Sequence, residues 1–195
     1  MTARRDRQRV VHLSPAQIKV LAHPLRARLL GELRTDGPAT ATRLAETLAT
    51  NTGATSYHLR QLAEVGLVQE DVDRSVGRQR WWRAAHDVSS WRSTGFDDDP
   101  DASAASDWLQ TYQLRQLVER AEAWIAAQHS EPPRWREAAQ LNDMILRLSA
   151  DDLRDLNEEL TAVVERFRGR EPSTAVDVRT VQVYYLTVPR PGGDR

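Results

Sequence analysis

A chain of 195 residues that is 40% hydrophobic and 28% charged can bury a core and suits one medium domain or two small ones. It contains no cysteine, which excludes disulfides, thiolate zinc sites and a cysteine nucleophile, and no apolar run long enough to cross a bilayer. The net charge of −1 is split unevenly: residues 1–86 hold 14 Lys+Arg against 8 Asp+Glu, and residues 87–195 hold 13 against 20. That is the pattern of a polyanion-binding part joined to a part without that role.

Residues 1–13 read as a basic, disordered arm, and without an apolar stretch behind it this start does not resemble a signal peptide, so a cytoplasmic location is expected. Ser14, Pro15 and Gln17 then mark a helix start, with Ser as cap, Pro in the first turn and Gln three residues after the cap. The helix should yield near His23, because a residue preceding proline is biased away from α geometry. A second helix carries Leu25, Leu29, Leu30 and Leu33, and Asp36-Gly37-Pro38 stops it. Thr40 or Thr42 can cap a third helix through Leu44, Ala45 and Leu48. After a polar connection at Thr50-Asn51, a fourth helix over 51–64 turns Thr55, Leu59 and Leu62 inward.

Two β-prone stretches, 67–73 and 79–84, flank Arg74-Ser75-Val76-Gly77-Arg78 and read as a hairpin. Trp81 and Trp82 alternate across its second strand, so one of them should be core. Residues 87–106, with the run Asp97-Asp98-Asp99-Pro100-Asp101, read as an acidic linker; Pro100 and the missing central glycine rule out a calcium loop. Beyond it a helical domain is expected over 107–195. Leu114, Leu117, Val118, Ala121, Trp124 and Ile125 form one stripe. Pro132-Pro133 precedes a helix carrying Leu141, Met144, Ile145 and Leu148. Ser149 and Asp152 suit a capping box, and Leu153, Leu156, Leu160, Val163 and Phe167 follow at heptad spacing, as core or as a dimer contact. Residues 176–188 are strand-like. That strand must pair with the hairpin, with another segment, or with its copy in a second subunit.

The expected fold is therefore mainly α with small β: a winged helix-turn-helix over 14–86, then a helical C-terminal domain ending in a β-strand. In such a motif the second helix enters the major groove by its N-terminal end. Thr52 and Gly53 sit where free N–H groups attract phosphate, Ser56 and Tyr57 are placed to reach base edges, and Arg60 suits a phosphate clamp. Arg74, Arg78 and Arg80 would lie along the backbone or in the minor groove, or else remain ordinary surface arginines. His58, at the edge of the core face, is either packed or a DNA contact. His12, His86 and His129 are dispersed without ligand spacing. Trp91, Trp108, Trp124 and Trp135 are either core or the lining of an effector pocket.

Several segments taken in order, Leu21-Ala22-His23-Pro24-Leu25-Arg26, Leu44-Ala45-Glu46, Ser56-Tyr57-His58-Leu59-Arg60-Gln61-Leu62, Gly66-Leu67-Val68 and Gly77-Arg78-Gln79-Arg80-Trp81-Trp82, resemble the ArsR-like winged-helix regulators. The resemblance covers about residues 14–86. It implies a homodimer on an inverted repeat of double-stranded DNA, acting as a repressor. The metal-sensing members carry Cys-x-Cys in the third helix or paired His and Asp on the last. Neither stands here, so no metal and no cofactor is expected. With no phosphate loop, HExxH or GxSxG, no enzyme is expected either. The C-terminal domain would set dimer geometry, sense a small molecule or contact a protein. The alternative is an interaction module that uses the winged helix as a dimerisation scaffold.

Overall fold

The computed structural model describes residues 10–74, 79–170, 177–190 and 192. It divides into two units, residues 1–118 and 119–195. In the first, strand β1 (Val10–His12) leads into helix α1 (Pro15–Leu21). The expected capping box starts α1: Ser14 Oγ accepts from Gln17 N at 3.3 Å, and Gln17 Oε1 accepts from Ser14 N at 2.9 Å. His23 is extended, as its place before proline requires, and its Nδ1 accepts from Leu25 N at 3.1 Å, capping helix α2 (Pro24–Thr35). The short strand β2 (Ala39–Thr40) precedes helix α3 (Ala41–Thr47) and helix α4 (Thr52–Glu64).

The hairpin follows as β3 (Val68–Glu70) and β4 (Trp81–Ala84), with Val68 opposite Ala84 and Glu70 opposite Trp82. β2 adds to the other edge of β4, pairing Ala39 with Trp82, so the wing is a three-stranded antiparallel sheet in the order β2-β4-β3. Trp82 is buried and Trp81 only half-buried, in keeping with the two-residue period of a strand. Ile18, Leu29, Leu30, Leu59, Leu62 and Leu67 are at most 2% exposed and bind the helices to the sheet. Truncating any of these leucines to alanine costs about 2–5 kcal/mol, which a domain of marginal stability cannot absorb twice.

Three expectations need correction. Residues 87–106 are not a linker. They form strand β5 (Val88–Ser90), a 3-10 turn (Ser93–Phe96) and the start of helix α5 (Pro100–Ala127). Phe96, Ala102, Ala105 and Leu109 join the core of the first unit. The acidic run has a local use: Asp99 Oδ1 accepts from Ala102 N at 3.0 Å, capping α5, and its Oδ2 meets Lys19 Nζ at 2.9 Å. The basic arm is also shorter than expected, since Val10, Val11 and His12 pair in parallel with Val88, Ser89 and Ser90.

The third correction concerns the C-terminal part. Its second unit contains helix α6 (Pro133–Ala138) and helix α7 (Ala150–Arg168). The expected helix over Leu141–Leu148 is absent: residues 139–149 have no helix, and 177–190 are assigned to no β-ladder. Residue 176 of the β-prone run at 176–188 lies outside the described residues, and among the described residues the rest of the run has no ladder partner such as a strand requires. The capping box at Ser149 is present, Ser149 Oγ accepting from Asp152 N at 3.1 Å and Asp152 Oδ2 accepting from Ser149 N at 3.0 Å. No described side chain of residues 119–195 is buried.

Candidate nucleic-acid interface

Helices α3 and α4 are joined by Leu48, Ala49, Thr50 and Asn51, a connection tight enough to hold Ala49 at φ 51°. Thr40 Oγ1 caps α3 by accepting from Arg43 N at 3.2 Å. Asn51 caps α4: its Oδ1 accepts from Ala54 N at 2.8 Å. A Cβ on Gly53 would stand 3.3 Å from that same Oδ1, so glycine keeps the cap unobstructed. Thr55, Leu59 and Leu62 are fully buried, which fixes the rotation of α4 about its axis. Thr52, Gly53, Tyr57 and Arg60 are consequently exposed, and Ser56 lies half-buried at the flank.

An open groove of about 440 Å³ brings Thr52, Ser56 and Arg60 of α4 together with Thr42 of α3 and Gln79 and Arg80 of the wing. Gly53, Tyr57 and Arg74 stand outside its lining, and Arg78 falls on residues 75–78, outside the described residues. Thr42 and Gln79 were not singled out as site residues from sequence. Thr42 is signalled only by its place in the first turn of α3, and Gln79 only by its closeness to Arg80. The arginines already have local partners. Arg60 Nε donates to the Ser56 carbonyl at 3.2 Å, Arg80 Nε lies 3.9 Å from Glu70 Oε2, and Arg74 Nε lies 3.7 Å from Asp71 Oδ2. The Arg74 guanidinium also sits 5.9 Å from the centre of the Trp81 ring. Exposed pairs of this kind are worth little in water, so a phosphate can displace the carboxylates.

Behind Tyr57, which is 53% exposed, lies an imidazole pair. The rings of Tyr57 and His58 are 5.2 Å apart edge to face, and those of His58 and His23 are 4.4 Å apart. Burial first, then the positive charge of Arg26, lowers the pKa of His23; burial, His23 and Arg26 lower that of His58. Both rings are thereby kept neutral near pH 7. His58 backs the exposed tyrosine rather than facing the groove.

At the far end of α2 the buried His86 is a second residue whose role was not legible in sequence. Arg34 Nη2 lies 2.6 Å from His86 Nε2 and donates to Ser89 Oγ at 2.8 Å, tying α2 to β5. Burial, followed by the charge of Arg34, pushes the imidazole pKa down to about 4. The aromatic supply does not converge on a pocket either. Trp91 Nε1 donates to Ser106 Oγ at 3.0 Å, and Trp108 stacks on Tyr112 at 5.3 Å in the first unit, whereas Trp135 Nε1 donates to Asp177 at 2.6 Å in the second. Among the described residues no group of three His, Cys, Asp or Glu is placed to hold a metal ion, and no helix is long and apolar enough to cross a membrane.

Residues 21–70 match the family model described as a helix-turn-helix domain. The sequence matches no curated protein. Among solved structures, a homodimeric winged helix-turn-helix DNA-binding domain from Mycobacterium bovis, described as a possible ArsR-family transcriptional regulator, is 23% identical. The match covers 54% of this chain and 77% of that one, with a TM-score of 0.33. A structure described as a possible transcriptional regulator for arsenical resistance is 31% identical, over 54% of this chain and 95% of that one, with a TM-score of 0.32. A mutant of ZitR from Lactococcus lactis is 14% identical, over 75% of this chain and 83% of that one, with a TM-score of 0.34. Through residues 21–70 the chain is thus similar to helix-turn-helix domains, and the solved structures it resembles include winged helix-turn-helix proteins described as possible regulators.

Proposed function

We propose that this protein is a sequence-specific, duplex-DNA-binding transcriptional regulator that acts as a dimeric repressor. In this reading α4 enters the major groove, and the wing lies on the backbone or in the minor groove. The observation that carries it is the convergence of Thr52, Ser56 and Arg60 from α4 with Arg80 from the wing on one open groove. Thr52 and Gly53 offer the N–H groups of a helix start to a phosphate, Ser56 and Tyr57 reach base edges, and Arg60, Arg74, Arg78 and Arg80 carry the charge that displaces counterions. A binding protein of the cytoplasm is meant, without metal or cofactor, whose second unit sets dimer geometry or receives a small molecule.

The test is fluorescence anisotropy on the upstream region of its own gene at two salt concentrations, with unrelated duplex as competitor. A salt-weakened complex that resists the competitor is expected, and Arg60→Ala and Arg80→Ala should each lower the slope of log affinity against log salt by about 0.9 per lost phosphate contact. If both variants bind like the parent at both salts, the contacts are assigned wrongly. If no duplex is selected even from a random pool, the regulator reading fails.

A further inference from the structure

Among its described residues the second unit leaves a large apolar surface exposed. Eleven large apolar residues there are more than half exposed, led by Leu141 at 90%, Met144 at 77% and Ile145 at 73%, and including Val181, Val183 and Leu186. Nine of them fall in two segments without helix or strand, 139–149 and 177–190, on either side of α7.

The second of these segments is held in place. At one end Asp177 accepts from Trp135 Nε1 and from Arg134 Nε at 2.9 Å, while Arg179 meets Glu131 at 2.7 Å and lies over the Trp135 ring. At the other end Tyr185 Oη bonds Thr161 at 2.9 Å and Thr187 Oγ1 donates to Asn157 Oδ1 at 2.7 Å. Tyr185 and Thr187 therefore face α7. A near-continuous apolar run belongs in the middle of a sheet rather than at an edge.

We infer that residues 139–149 and 177–190 are the docking surface for a second copy of this chain, which closes the second unit by pairing its own two segments and covering α7. The area fits a dimer. At roughly 60–120 Å² per apolar side chain removed from water, and with each about two-thirds exposed, the eleven residues offer roughly 450–900 Å². A standard interface takes about 800 Å² per partner, a little over half of it apolar. A two-fold pair also needs no further chain: each copy brings both the segments and the helix face that the other lacks, as an isologous interface requires. The inference deepens the dimeric reading above, yet it rests on the second unit alone.

The experiment is sedimentation equilibrium of the full chain, with hydrogen exchange measured over the same range of concentrations. A dimer is expected whose amides over 139–149 and 177–190 become more protected as concentration rises. Ile145→Asp and Val183→Asp each place an uncompensated carboxylate in the interface and should weaken the dimer about a hundredfold or more. Circular dichroism should meanwhile show the winged domain still folded. A monomer at every concentration, a dimer whose protection rises only within residues 10–118, or unchanged pairing in both variants overturns the inference. A monomer that is captured by a different protein gives that protein the surface instead. The two readings separate cleanly. A dimer through these segments that binds no duplex sinks the regulator, and specific binding by a pair of copies that both aspartate variants preserve sinks the interface.

Discussion

The imidazole of His86 makes the stability of the first unit depend on pH in a calculable way. It is 2% exposed, and its pKa stands at about 4 against an ordinary 6.5. A pKa lowered on folding means that the unfolded chain takes up the proton first. The stability is then fully present above pH 6.5 and is lost as pH falls through the window from 6.5 to 4. At about 1.4 kcal/mol per unit of displacement the full loss is roughly 3 kcal/mol, and about 2 kcal/mol of it has gone by pH 5. The physical cause is burial first and then the Arg34 guanidinium at 2.6 Å, which leaves no room for a second cation. Urea unfolding of the parent and of His86→Gln, compared at pH 7.5 and pH 5, isolates this contribution, because His23 and His58 are common to both chains and cancel. The gap between the two proteins should shrink by about 2 kcal/mol on acidification. A gap independent of pH would refute the reasoning, and with it the assignment of a neutral His86 as acceptor for Arg34.

Ala49 holds φ 51° in the turn of the helix-turn-helix, where a Cβ costs roughly 1–2 kcal/mol and glycine gives back roughly 0.4–1 through the unfolded chain. Ala49→Gly should therefore raise stability by about 0.5–1 kcal/mol in urea unfolding; a lower midpoint would mean that the turn carries no such strain. Asn51→Ala removes the cap of α4 and should cost about 1 kcal/mol. Because Asn51 orders the first turn, where Thr52 and Gly53 stand, the same variant should weaken duplex binding more than its stability loss explains, as read by anisotropy on a fully folded sample.

Wherever two local signals agreed, the sequence was legible. Ser14 with Gln17, and Ser149 with Asp152, are capping boxes in the structure because a hydroxyl and a carboxamide or carboxylate three residues later need nothing beyond their own turn. The inward set Thr55, Leu59 and Leu62 followed from helical period alone, and it oriented the exposed set. Long-range partners were not legible. Asp99 before Pro100 carries a local cap signal like Ser14 before Pro15, but nothing local announces that it will meet Lys19 across 80 positions. The role of His86 depends on Arg34, 52 positions away. The segment 139–149 misled for the opposite reason: Leu141, Met144, Ile145 and Leu148 have helical spacing, but the chain there forms no helix and leaves them exposed.

The parallel pairing of β1 with β5 sets an order of events during synthesis. Val10 is synthesised before its partner Val88, which follows 78 positions later. At about 5–20 residues per second the waiting time is roughly 4–16 s, far longer than the microseconds in which a hairpin such as β3–β4 forms. Helices α1 to α4 can therefore assemble around Ile18 and Leu59 while the opening strand still lacks its partner. The growing chain carries an unpaired β-edge for those seconds, and the pairing that closes it comes late.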